Sequence, residues 1–328
     1  MFAHAEVSMV CSPEAIAGNR RPGLRRWPAL LALLLALVIT PLGCHPVGFV
    51  RPRDKVSDTK VDRTTASDDQ AALPSKYSFR IAPYVFTSDF EISRDQALFT
   101  ELDQLRDQVY KELLLPPGTA EVRVYLFDTR ERYERYMKER YPDLPERRAF
   151  FVAQPRSIGG VEDLLVYTYW GKRIRQDLRH ELTHALLHSV IRDVPLWLDE
   201  GLAEYFELPP DQKGVNRNHV EILRRGIVSG AYKTDLARLE RLRQVDDMNP
   251  AEYREAWAWV HFMLNSKPEA RTVLLSYLQQ LRGSRHPGAL GAKLEKVFPD
   301  LERAWNEHLA ALDTEIARDR AESFTQAD

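Results

Sequence analysis

The chain has 328 residues, 44% hydrophobic and 29% charged, the proportions of a folded globular protein with room for one large domain or two small ones. A formal net charge of -2 lacks the basic excess of a nucleic-acid binder and excludes that class of partner.

The amino end opens with Arg20, Arg21, Arg25 and Arg26, followed by an apolar run from Trp27 to Ile39. A basic segment ahead of an apolar one is the layout of a secretory signal. The run is shorter than the roughly 20 apolar residues a bilayer span needs, so a cleaved signal is expected rather than an anchor helix. Of the two cysteines, only Cys44 lies beyond this run, and a single thiol has no internal partner in an exported chain. Pro41-Leu42-Gly43-Cys44 resembles a bacterial lipobox, with Gly43 in the small position and Pro41 replacing the usual leucine. The resemblance implies a signal over residues 1–43, lipidation of Cys44, and membrane attachment in the cell envelope through an N-terminal lipid anchor. Residues 44–76 are polar and poor in large apolar side chains, and read as a flexible tether.

A folded domain is expected over residues 77–320, with 321–328 as a tail. Residues 77–88 alternate and are β-rich, giving one or two strands. Ala97, Leu98, Leu102, Leu105, Val109, Leu113 and Leu114 recur at three- and four-residue steps, a helix stopped by Pro116-Pro117-Gly118. Glu121 to Phe127 is a strand, and Arg130 to Arg140 a helix. Phe150 to Ala153 and Leu164 to Tyr169 read as strands around a turn at Gly159-Gly160. After Lys172 the strand signal ends, and 173–191, 196–207, 217–229, 250–265, 269–281 and 301–318 all read as helix. Strands first and helices afterwards predict an α+β fold, a mixed sheet packed on a helical half.

That helical half begins with His180-Glu181-Leu182-Thr183-His184. Histidines four residues apart share a helix face, so both imidazoles can meet one ion. Glu181 lies about 100° round the helix from His180, placed to take a proton from water without binding the ion itself. Catalytic zinc takes three protein ligands and keeps a position for water. The third carboxylate is offered by Trp197-Leu198-Asp199-Glu200-Gly201-Leu202-Ala203-Glu204. Glu200 and Glu204 are four apart on one face, so one can bind the metal while the other holds a ligand histidine by its far ring nitrogen.

His-Glu-x-x-His followed by Trp-Leu-x-Glu-Gly-x-Ala resembles the gluzincin metallopeptidases, closest to the aminopeptidase N-like enzymes and the peptidase MA-like families. The resemblance implies a thermolysin-like catalytic domain, Zn2+ bound by His180, His184 and Glu200, Glu181 as general base, and Glu204 behind the ligands. Fifteen residues separate His184 from Glu200, a few fewer than in the aminopeptidases; the nineteen before Glu204 resemble the thermolysin spacing. The local Trp-Leu-Asp-Glu-Gly match favours Glu200.

Residues 253–264 are similar to the aminopeptidase helix that opens with a catalytic tyrosine, which assigns Tyr253 to the oxyanion, with a plain packing role as the alternative. Glu255 and Ala256 depart from the basic residue and glycine of that pattern. Gly159 to Asp163 resembles the aminopeptidase segment that binds a substrate amino terminus, but a polar turn is the favoured reading. His188 is expected at the core or rim, and His219, His261, His286 and His308 as isolated structural residues. In the resembling enzymes an edge strand over the active-site helix pairs with extended substrate, and Leu164 to Tyr169 is the expected strand here. The function expected is therefore zinc-dependent hydrolysis of a peptide or protein substrate in the cell envelope. The alternatives are an envelope lipoprotein that keeps the fold without catalysis, or one that acts on a non-peptide substrate.

Overall fold

Alternating strand residues build one sheet with two apolar faces in the computed structural model, which describes residues 3–5, 72–155, 162–283 and 287–325. Five strands lie after residue 76: β2 (Tyr77–Ile81), β3 (Tyr84–Ser88), β4 (Val122–Phe127), β5 (Ala149–Pro155) and β6 (Glu162–Tyr169). A three-residue segment, β1 (Ala3–Ala5), completes the spatial order β1-β5-β6-β4-β3-β2. The sheet is mixed: β2–β3 and β5–β6 are antiparallel, while β3–β4, β4–β6 and β1–β5 are parallel.

Period-two alternation sorts the side chains. Val122, Val124 and Leu126 join Phe79, Phe86 and Val166 in the main core, which α1 (Ala97–Glu112) and α3 (Ile174–His188) cover. Their neighbours Phe127, Leu165 and Tyr167, with Phe150 and Val152, form a second cluster closed by Tyr133, Tyr136 and Met137 of α2 (Arg130–Arg140). Among the described residues no strand follows β6. The remaining chain forms α4 (Leu196–Phe206), α5 (Arg217–Val228), α6 (Leu236–Leu239), α7 (Pro250–Asn265), α8 (Pro268–Gly283), α9 (Leu290–Glu295) and α10 (Leu301–Thr325). The α+β expectation holds at that level.

Several boundaries move. Leu164 to Tyr169 is not an edge strand: β6 lies between β4 and β5, because the antiparallel β5–β6 pair turns β5 outward while β6 runs parallel to β4. On that side β5 follows β6, and the outermost strand, pairing along β5, is Ala3–Ala5, a segment expected to leave with the signal. Cys44, the apolar run and the expected tether up to residue 71 lie outside the described residues, as do His286 and the turn at Gly159-Gly160. The last tether residues belong to the domain: Leu73 packs on the α2 cluster, and Lys76 N–H donates to Ser88 C=O at 3.1 Å. At the other end α10 continues into the expected tail as far as Thr325, tied to α5 where Arg217 meets Asp319 at 2.9 Å. Among the described residues no helix is long and apolar enough to cross a membrane.

α7 runs through the helical core, buried on nearly every side from Glu252 to Leu264. Pro250 occupies its first turn, where a missing N–H costs nothing, and Asn249 and Glu252 cap each other's backbone. Its closest partner is α4. A Cβ at Gly201 would stand 2.6 Å from the Ala256 carbonyl oxygen, so only glycine lets the two backbones approach this closely. Glu255 and Ala256, which depart from the aminopeptidase pattern, serve this packing. Ala256 faces Gly201, and the buried Glu255 accepts from Arg238, Thr234 and the Asp235 N–H at 2.7–2.9 Å, pinning α6. Gly201→Ala should therefore destabilise the fold by about 1–3 kcal/mol through overpacking, read as a lowered denaturation midpoint; an unchanged midpoint would refute the close approach.

His261 and His308 are not isolated: their rings share a hydrogen bond of 2.9 Å against Trp257 and Phe262. Burial depresses His261 to about 3, helped by the facing His308, and His308 to about 4. Below the ordinary imidazole value the unfolded chain takes up protons that the native pair refuses. Stability therefore falls as pH drops from about 6.5 towards 4, by up to about 1.4 kcal/mol per pH unit for each ring. Melting curves between about pH 7 and pH 5 should fall less steeply for His308→Gln than for the parent, and equal slopes would contradict this.

Candidate metal centre

α3 is almost wholly buried from Asp177 to Leu187, an unusual setting for two histidines and a glutamate. His180 and His184 stand one turn apart with ring centroids 4.8 Å from each other, both without solvent exposure. Their Nε2 atoms converge on Glu200 Oε2 of α4, at 3.4 and 3.7 Å. Among the described residues neither Glu200 oxygen accepts a hydrogen bond, and the residue is fully buried. Donors bound to zinc at about 2.0–2.1 Å in a tetrahedron stand roughly 3.4 Å apart, which these separations match.

The far side of each imidazole is also occupied. His180 Nδ1 meets Glu207 Oε2 at 3.0 Å, and His184 Nδ1 meets Asp199 Oδ1 at 3.0 Å. A carboxylate on Nδ1 fixes the tautomer that leaves Nε2 free to bind a metal. Asp199 also reaches His188 Nε2 at 2.9 Å, so His188 braces the carboxylate behind His184. Phe151 of β5 stacks on His188 with centroids 5.4 Å apart, which puts β5 over this face of α3. Glu207 is held in turn by Gln176 at 2.6 Å. Arg179, fully buried, donates to the carbonyls of Glu207 and Leu208, capping the negative end of α4.

Glu204 differs from its expected place. Glu207 takes Nδ1 of His180, while Glu204 meets His219 Nε2 of α5 at 3.0 Å. One turn past Glu200, it is carried towards α5, and the position behind His180 falls to Glu207 instead. His219, expected as isolated, is this partner. His180, Glu204 and Glu207 do form a second group whose donor atoms lie within 4.8 Å of one another, as do His180, His184 and Glu200.

Charge explains why the pocket suits a cation. Burial pushes the Glu200 carboxyl well above its usual range, and the negative charges of Asp199, Glu181 and Glu204 push it further. Burial does the same to Glu181, while the Arg147 guanidinium and the Phe151 N–H draw it back. Glu207 is likewise raised, by burial and then by Glu204. Burial lowers His184 against the pull of Asp199, which favours the neutral imidazole that a metal requires. A divalent ion among these carboxylates would relieve their repulsion where water cannot.

Tyr253, in the first turn of α7, is brought to the same place: it is 4% exposed and feels the Glu200 charge. Its phenol oxygen accepts from Arg147 Nη1 at 3.0 Å. Sequence reasoning missed Arg147, Asp199 and Glu207. Glu207 lies seven residues past Glu200, two turns along one face, so its spacing was a usable signal. Asp199 stood beside Glu200 inside the quoted motif. Arg147 carries no local signal, since it reaches the site only through the turn into β5.

Residues 176–287 match a family described as a protein of unknown function (DUF1570), a stretch that holds the histidines, Glu200 and Tyr253 but not Arg147. No curated protein matches the chain.

The brace geometry separates the carboxylates by role. Glu207→Gln and Asp199→Asn should each weaken zinc affinity by roughly 10- to 100-fold, and Glu204→Gln much less, as read by competition with a chromogenic chelator. Equal losses in all three would return Glu204 to the histidine side.

Proposed function

We propose that the protein is a zinc-dependent peptidase of the gluzincin type, with a thermolysin-like arrangement of α3, α4 and the overlying sheet. The observation that carries this reading is the convergence of His180 Nε2 and His184 Nε2 on a buried Glu200 oxygen that accepts no hydrogen bond among the described residues. His180, His184 and Glu200 would hold the ion, with Glu207 and Asp199 orienting the rings. When bound, zinc would supply Lewis acidity to a water and to the substrate carbonyl.

The remaining chemistry belongs to the chain. Glu181 would take the proton of the attacking water and return it to the departing amine, work suited to a carboxyl raised by burial. Tyr253 would donate its phenolic hydrogen to the developing oxyanion. Extended substrate would lie along the outer edge of β5, and the pairing of Ala3–Ala5 there supports an edge able to take an added strand. Processing at Cys44, if it follows the lipobox resemblance, would remove that segment and free the edge of the anchored enzyme. A binding scaffold would have no use for a fully buried carboxylate at Glu181, where an apolar side chain would cost less.

Glu181→Gln should retain zinc at the parent stoichiometry while losing about 100-fold or more of the activity on a quenched fluorescent peptide library. His184→Ala should lose both. Parent-level cleavage by Glu181→Gln would sink the proposal.

A further inference from the structure

Two consecutive arginines lead into β5 and go different ways. Arg148 is tied down: it forms a forked ion pair with the buried Asp177 at 3.0–3.3 Å, the usual life of a structural arginine. Among the described residues no carboxylate forms an ion pair with Arg147. Among the described residues its guanidinium makes one hydrogen bond, to the Tyr253 phenol, and stands 6.0 Å from that ring's centroid. It stays partly open to solvent, yet its charge acts on Glu181, Glu200 and His184 together.

We infer that Arg147 is the positioning residue of the Tyr253 phenol, and that it makes Tyr253 a hydrogen-bond donor to the reacting carbonyl. This rests on the peptidase reading above. A guanidinium can only donate, so the phenol oxygen must be the acceptor, and its own hydrogen has to point away from Arg147. Tyr253 also feels the charge of Glu200, so the phenol lies within electrostatic reach of the candidate ligand carboxylate. Accepting from a cation also polarises the O–H, which strengthens the bond it gives. Burial alone would hold the phenol as a weak acid, and Arg147 acts against that. The arrangement fixes the phenol's rotation before substrate arrives, so no ordering is left to do at the moment of reaction.

The test is a double-mutant cycle on the full chain loaded with zinc, with kcat and KM measured on the best peptide from the fluorescent library. Tyr253→Phe should lose roughly 100-fold in kcat, and Arg147→Met roughly 10-fold, mainly in kcat. Once Tyr253→Phe is present, adding Arg147→Met should cost no more than about 2-fold, because the arginine acts through the phenol. Arg147→Lys, which keeps a cationic donor, should recover part of the loss. Zinc content and melting temperature of each variant separate a folding defect from a positioning one. Multiplicative losses in the double variant, or a rise in KM alone for Arg147→Met, would overturn the inference and leave the peptidase reading intact. A zinc-loaded parent that cleaves no peptide would remove that reading, and this inference with it.

Discussion

Burial of charge where α3 crosses α4 is the constraint from which the rest of the structure follows. Glu181, Asp199 and Glu200 have no measurable exposure, and Glu207 has 3%. Carboxylates at that depth are costly unless each is paired or shares a cation. Asp199 and Glu207 meet the need with histidine nitrogens at 3.0 Å, and so hold the two helices in register. Among the described residues Glu200 has no such hydrogen-bond partner, and its Oε2 lies 3.4 and 3.7 Å from the two Nε2 atoms. The crossing thus gathers buried carboxylates and imidazoles into a group that could hold a metal ion.

Around that crossing, packing sets precision. Gly201 sits beside Glu200 and lets α7 come to backbone contact with α4, which brings Tyr253 within electrostatic reach of the carboxylate. A larger residue at 201 would force α7 away from α4. The sheet contributes from the other side: β5 covers α3 through Phe151, and the turn before it delivers Arg147 to the phenol. Site residues therefore come from four separate stretches, and only two of them lie in the motif-bearing helices.

That distribution explains what the sequence disclosed. Helices with strong periodicity, such as Arg130–Arg140 and Pro250–Asn265, are found where their patterns place them. His180 and His184 were legible because a four-residue step on a helix decides which side chains meet. Glu200 was legible through its neighbours Trp197 and Gly201. Strand order was not, since alternation in β5 and β6 fixes which faces are apolar but not which strand lies outside. Glu204 was misplaced for a similar reason: a shared helix face leaves open whether a side chain turns to α3 or to His219 on α5. Arg147 depended wholly on tertiary placement, 106 residues from the tyrosine it serves.

The central claim is the ligand set, and zinc-edge anomalous diffraction from crystals grown with zinc tests it most directly. The account predicts one strong peak bonded to His180 Nε2, His184 Nε2 and a Glu200 oxygen, with donors at about 2.0–2.2 Å. A peak seated instead between His180, Glu204 and Glu207, or no peak on α3 at all, would contradict it.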